Sequence, residues 1–263
     1  MDFQDEFKGK KVVLTGAYGV FGVWIAEAFA TYGATLCLSG SKMERLEAMA
    51  AGLQSAVPPL LVSADLSREE DILKLASQVK DAWGAPDILV NNAGVYPSGF
   101  LLDTATAEWD RILGVNLRAP FILTREIATL MVRAGKKGSI INIGSGAANR
   151  MRASSVPYCL SKTALDRLTK GYALELAEYG IRVNLIEPGF ASGSVSNPLP
   201  EDHVRGMGGR IPLGRESGPN DTPNAVLYLS SDAASFITGA TLSVDGGNGA
   251  GLRAVYQDKK HAL

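Results

Sequence analysis

Short runs of aliphatic and β-branched residues recur at positions 11–15, 34–38, 59–63, 87–90, 139–143, 181–186 and 241–244, and the longer segments between them space their apolar residues as helices do. This alternation predicts βαβ units. Lys11-Val12-Val13-Leu14-Thr15 and Asp87-Ile88-Leu89-Val90 are too continuously apolar for a strand with one wet face, so they are expected in a mostly parallel sheet with helices on both sides. The predicted fold is α/β and doubly wound, with about seven strands. Long helices are expected around 107–133 and 157–179, where Ile112, Leu117, Leu165, Leu168 and Leu176 suit either a core or a subunit interface.

No internal repeat or linker divides the chain, so residues 1–263 are expected to form a single domain that binds a dinucleotide and carries the chemistry. The stretch 188–219 is rich in Gly and Pro and weakly periodic, and is expected to cover the site. Residues 248–263 carry no clear pattern and are read as a tail.

Composition narrows the function classes. A hydrophobic share of 46% with 20% charged residues is ordinary globular usage. The net charge of −1 supplies no field for nucleic acid or anionic lipid, so small molecules are the expected partners. No apolar run reaches the length of a membrane span and the acidic start does not resemble a secretory signal, so a cytoplasmic location is expected. Cys37 and Cys159 are unpatterned and read as reduced core or wall residues, and with only His203 and His261 no metal site is expected.

The first strand runs into Thr15-Gly16-Ala17-Tyr18-Gly19-Val20-Phe21-Gly22 and then into a helical segment. Strand, glycine turn and helix form the setting in which backbone amides meet a pyrophosphate, as in a Rossmann-type domain. An acidic residue about 20 positions further on would hold bare ribose hydroxyls. The second strand leads instead into Ser39-Gly40-Ser41-Lys42, and Ser41 and Lys42 suit a 2′-phosphate, which favours NADP(H) over NAD(H) even though no arginine stands there.

Tyr158 and Lys162 lie at i and i+4 of a helical segment and share one face. Lowering a phenol pKa by ~3 requires about 4 kcal/mol, and an ammonium at ~4 Å in an effective dielectric of ~20 supplies that much. Lys162 is therefore expected to make Tyr158 acidic. Thirteen positions before the tyrosine, Ser145 follows the strand Ser139-Ile140-Ile141-Asn142-Ile143 at the edge where open α/β sheets gather ligands, and could hold a substrate oxygen.

Together with Asn91-Asn92-Ala93-Gly94, Asn116, Pro188-Gly189 and Asp245-Gly246-Gly247, these motifs resemble the short-chain dehydrogenase/reductase family along nearly the whole chain. The resemblance implies that Tyr158 is the general acid/base, that Ser145 positions the substrate oxygen, that Lys162 holds the nicotinamide ribose, and that Asn116 supports a proton-relay water. It also implies cofactor contacts at Gly16, Tyr18, Gly19, Phe21 and Gly22, at Asp65 and Leu66 (Asp65 on the adenine), at Asn92, Ala93 and Gly94, and at Pro188 and Gly189. A homodimer or homotetramer is implied as well. Two departures stand out: Val20 occupies the usual middle glycine position with Gly19 before it, and Gly193 replaces a threonine, with Ser192 or Ser194 as substitutes.

The implied activity is hydride transfer between nicotinamide and a secondary alcohol or ketone. The alternative is a catalytically silent cofactor-binding regulatory or scaffold protein on the same fold. Val95, Tyr96, Ala147, Arg150, Met151, Arg152 and Phe190 are expected around Ser145, a mixed surface that leaves the substrate open.

Overall fold

The computed structural model describes residues 3–193, 201–208 and 210–251. Seven strands form one sheet in the order β3-β2-β1-β4-β5-β6-β7: β1 Lys11–Thr15, β2 Thr35–Gly40, β3 Leu60–Ser63, β4 Ile88–Asn91, β5 Gly138–Ile143, β6 Ile181–Pro188 and β7 Thr241–Val244. All six pairings are parallel, so the expected mostly parallel sheet is wholly so. Three strands run past their predicted ends because their neighbours continue the ladder: Gly40 pairs with Ser63, Asn91 with Asn142 and Pro188 with Val244. Ser39-Gly40 reads as a turn in isolation, yet Ser39 is fully buried.

Both faces of the sheet are apolar, which explains the unbroken strand runs. Val12, Leu14, Leu36, Leu38, Val90 and Ile141 face one core. Helix α1 (Val20–Thr31) covers it with Gly22, Ile25, Ala26, Phe29 and Ala30, joined by α8 (Asp221–Ser230). Val13, Cys37, Val62, Leu89, Ile140 and Val183 face the other core, covered by α3 (Glu69–Trp83) and α5 (Ala119–Arg133). Cys37 and Cys159 are buried free thiols, and burial pushes the Cys37 pKa up to about 12, so that thiol stays protonated and inert.

The remaining helices are α2 (Met43–Gly52), α4 (Thr106–Leu113), α6 (Val156–Leu176) and α7 (Glu201–Gly208). The last lies inside the 188–219 stretch, where the sequence pattern shows no helix. Ile112 and Leu165 are core residues, whereas Leu117 and Leu168 line an open groove of about 650 Å³ with Leu113 and Phe121. Among the described residues no helix is long and apolar enough to cross a membrane. Ser194 and His261 lie outside the described residues, as does most of the 248–263 tail.

Candidate active site

The sheet order reverses between β1 and β4, and ligands of such sheets settle in the crevice at that reversal, beyond the carboxyl ends of the strands. Here Thr15 Oγ1 accepts from the amides of Asn92 and Ala93, each at 3.1 Å, and Asn92 Nδ2 donates to the carbonyls of Thr15 and Gly16, each at 3.0 Å. These bonds lock the glycine turn to the loop after β4. Gly16 takes φ +64°, and a β-carbon on it would lie 2.8 Å from Ala93 Cα. A β-carbon on Gly22 would stand 2.2 Å from the Gly16 carbonyl oxygen, so only glycine lets α1 start directly on the turn. Gly19 is the N-cap of α1, without a side-chain cap bond and with no acidic residue in the first turn. The first amides of α1 are therefore available to an anion such as a pyrophosphate, and Val20 in the middle glycine position does not disturb the turn. Phe21 packs edge-on to Trp24.

The adenosine side of the crevice holds a cluster that sequence spacing does not show. The Tyr18 hydroxyl bonds Ser41 Oγ at 2.8 Å and accepts from the Ser41 amide at 3.1 Å. The Arg45 guanidinium lies 5.6 Å over the Tyr18 ring. Arg45 stands in the first turn of α2, so the arginine absent from the Ser41-Lys42 segment is delivered by helical geometry. Lys42 is exposed at the N-cap of that helix. Asp65 Oδ1 accepts from both the amide and the hydroxyl of Ser67, which holds its carboxyl below the usual range, and Leu66 packs toward the α3 core.

At the other end of the crevice, half-buried Tyr158 sits in the first turn of α6 with Ser145 beside its phenol. Ser145 Oγ also accepts from the Ala147 amide at 3.1 Å, at the head of a 3₁₀ turn, Gly146–Asn149. One helical turn beyond the tyrosine, Lys162 is buried and donates to the Ile143 carbonyl at 2.8 Å, with its amine 5.9 Å from the centre of the Tyr158 ring. A side-chain atom on Gly94 would lie 3.4 Å from Asn116 Oδ1 and 3.6 Å from Lys162 Nζ, so these groups border one space.

The expectation that Lys162 makes Tyr158 acidic is not met here. Burial raises the Tyr158 pKa above its ordinary value, opposed by the Ser145 hydrogen bond and by the charge of Arg152, while the lysine ammonium is turned to the Ile143 carbonyl. Burial also pushes the Lys162 pKa down to about 8. The phenol is thus protonated at neutral pH, the form that donates a proton.

Asn116 lies in a π-helical turn, Gly114–Arg118, between α4 and α5, and is completely buried. Its Oδ1 accepts from the Val95 amide at 2.8 Å, and its Nδ2 donates to the Val95 carbonyl at 2.8 Å and to Ser161 Oγ at 3.0 Å. Ser161 in turn donates to the Tyr158 carbonyl. The Asn116 amide braces the loop after β4 against the helix of Tyr158, and both of its N–H groups are spent on that brace.

Near the nicotinamide end expected from the resemblance, the Gly189 amide donates to the Val244 carbonyl at 2.8 Å, and a β-carbon there would meet Asp245 Cα at 2.9 Å, so Pro188 and Gly189 are held against the end of β7. Ser192 is committed to Glu216 through both its amide and its hydroxyl. Buried Glu187 accepts from Asn149 Nδ2 at 2.9 and 3.0 Å and from Ser243 Oγ at 2.8 Å. This carboxylate pins the far end of the Ser145 turn to β6 and β7. No local motif marks it.

Comparison with known proteins agrees with this geometry. Residues 16–248 match the family model described as "Enoyl-(Acyl carrier protein) reductase". The chain is 36% identical over 242 residues to nodulation protein G of Rhizobium meliloti, covering 92% of this chain and 98% of that protein. It is 32% identical over 243 residues to the 3-oxoacyl-[acyl-carrier-protein] reductase FabG of Thermotoga maritima, covering 91% and 98%. Among solved structures, a short-chain type dehydrogenase/reductase from Mycobacterium marinum superposes with a TM-score of 0.86 at 31% identity, covering 94% of this chain and 98% of the other. An NAD(P) dependent gluconate 5-dehydrogenase from Beutenbergia cavernae, with NADP bound at low occupancy, gives 0.83 at 30% identity, covering 93% and 98%. A doubly wound parallel sheet, a glycine turn at its reversal point, a family match across most of the chain and these relatives converge: the protein belongs to the short-chain dehydrogenase/reductase family of oxidoreductases.

Proposed function

We propose that the protein reduces a ketone to a secondary alcohol with NADPH, Tyr158 donating the proton. The observation that carries this reading is the half-buried Tyr158 phenol, its pKa raised above the ordinary value and Ser145 beside it, in the same crevice as an uncapped helix start. The cradle suits a dinucleotide: the α1 amides and the Gly16 turn take the pyrophosphate, and Asn92, Ala93, Gly94, Lys162, Pro188 and Gly189 border the nicotinamide half. Bound nicotinamide supplies the hydride. Ser145 and Tyr158 both direct hydroxyls at the carbonyl oxygen, which stabilises the negative charge that develops there as the carbon is reduced, and the phenol proton then neutralises it. Lys162 would hold the nicotinamide ribose, and Asn116 keeps the helix of Tyr158 in register with the loop after β4.

NADPH is preferred over NADH because Ser41 and Arg45 both gather on Tyr18 where the second strand ends, with Lys42 exposed between them in the chain, and the relative from Beutenbergia cavernae carries bound NADP. Arg45→Ala is expected to weaken NADPH binding about ten-fold or more, since a hydrogen bond to a charged group contributes roughly 1.5–3 kcal/mol, and to leave NADH almost unaffected. Fluorescence titration reads both. An equal loss for the two cofactors would take Arg45 out of phosphate recognition.

The reduction itself is tested by NADPH consumption across ketones of graded size and polarity, run also in reverse from the alcohols. Turnover that halts when Ser145 or Tyr158 is altered supports the reading. Firm NADPH binding without any turnover would favour the silent scaffold. We assign self-association, as a dimer or tetramer, to the open groove bordered by Leu113, Leu117, Phe121 and Leu168, and place the protein in the cytoplasm.

A further inference from the structure

Phe100, Leu101 and Leu102 are three successive apolar side chains on the loop after β4, with 63%, 54% and 101% of their surfaces exposed. Full burial of such a side chain is worth about 1.5–3 kcal/mol, so a run of three left in water is an unused source of binding energy. The loop is built to keep them there. Thr104 Oγ1 donates to the Phe100 carbonyl at 2.9 Å, Leu101–Asp103 form a 3₁₀ turn, and the Gly99 amide donates to the Ser154 carbonyl at 2.8 Å. The last bond ties this loop to the turn that leads into α6. Between the two walls lies an open groove of about 490 Å³, bordered by the apolar Phe100, Leu101, Leu102, Ala153 and Val156 and by the polar Asp103 and Ser154.

The two chain segments that wall the groove are the ones that flank Tyr158. Tyr96, on the same loop, packs edge-on against the Tyr158 ring with centroids 6.2 Å apart. Val156 opens α6, two residues before Tyr158, and Met151 stands 57% exposed on the turn that precedes that helix. We propose that this groove holds the hydrocarbon body of the substrate, so that the carbonyl compound reduced at Tyr158 is an extended apolar ketone and not a polyhydroxylated one. A polyol laid here would find only Asp103 and Ser154 as polar neighbours and would set its remaining hydroxyls against apolar side chains, at a cost for every hydroxyl that loses its water. A second copy of the chain is the other occupant to consider, but the larger groove along α4, α5 and α6 offers it straight helical surface away from the phenol. The inference rests on the ketone-reduction reading and narrows it to a substrate class.

The test uses the full chain with saturating NADPH and straight-chain methyl ketones of about four to about twelve carbons, and each added methylene is expected to raise kcat/KM about three- to four-fold until the groove is filled. A Leu101→Asn, Leu102→Asn double variant is expected to flatten that slope, while its NADPH affinity, read by fluorescence, reports an intact fold. A flat slope in the unaltered protein, or an unchanged slope in the variant, overturns the proposal and leaves ketone reduction standing. Calorimetry with long-chain secondary alcohols in the presence of NADPH separates the two failures. Chain-length-dependent binding that the variant loses supports the groove even without turnover, and absence of such binding overturns it. A variant that changes oligomeric mass by light scattering and keeps the wild-type slope assigns the patch to a subunit contact instead.

Discussion

Tyr158→Phe is expected to lower the turnover number by about 10²–10⁴, the usual worth of a positioned proton donor, with little change in the affinity for NADPH. The substitution keeps the ring, and with it the edge contact to Tyr96 and the packing at the start of α6; it removes only the hydroxyl beside Ser145. Rates of a single turnover with preformed NADPH complex measure the chemical step directly, and melting curves check the fold. A variant within a few-fold of the parent would remove Tyr158 from the mechanism. The pH profile has a determined sign. Because the Tyr158 pKa stands above its ordinary value, ketone reduction should hold level through neutral pH and fall only as the phenol ionises at strongly alkaline pH, while alcohol oxidation, which needs the phenolate, should rise over that range.

Lys162→Met is expected to abolish useful turnover, by at least about a hundred-fold, and at the same time to stabilise the protein at neutral pH. The pKa of this buried lysine falls from an ordinary value of 10.5 to about 8, so keeping it charged at neutral pH costs about 3 kcal/mol. Below about pH 8 both folded and unfolded chains hold the proton and the penalty is complete. Between about pH 8 and 10.5 the unfolded chain still holds a proton that the folded chain has released, so the parent gains stability as pH rises and the penalty disappears. The variant gives up the bond from Lys162 Nζ to the Ile143 carbonyl, about 1 kcal/mol, which leaves a net gain of about 2 kcal/mol at neutral pH. Urea unfolding of parent and variant at neutral pH and near pH 10 reads the gap and its closure. A variant less stable than the parent at neutral pH, or a gap that stays constant, would show that burial of the ammonium is not the destabilising element. The expected outcome means that stability is given up to hold a cation near the Tyr158 ring, a trade found where sites are strained for function.

Much of the architecture is readable without coordinates because it depends on local order. Each of the seven strands lies within one or two residues of its predicted span, since a strand buried on both faces must be apolar throughout and a helix must space its apolar residues by three and four. Gly16, Gly19 and Gly22 are legible for the same reason: a chain that turns from β1 into α1 with no room for a β-carbon has few residues to choose from. Ser145, Tyr158 and Lys162 are legible as a set, one at a strand end and two a helical turn apart.

Other features arise only from long-range packing. The π-helical turn that brings Asn116 inward has no residue signature, because an i to i+5 bond is chosen by what α4 and α5 must pack against. Arg45 reaches the Tyr18 ring only because α2 begins soon after β2 and carries it there. Glu187 acts on the Ser145 turn through Asn149, 38 positions away, a relation that no window along the chain contains.

By itself, then, the order of residues determined the parallel sheet and the glycine turn and picked out the candidate site residues, since periodicity and steric demand act over a few neighbours. The tertiary structure decided the charge states: Tyr158 is held protonated and Lys162 is driven toward neutrality, both through burial. A pKa answers to the water excluded and the dipoles gathered around a group, and those come from segments far apart in the chain.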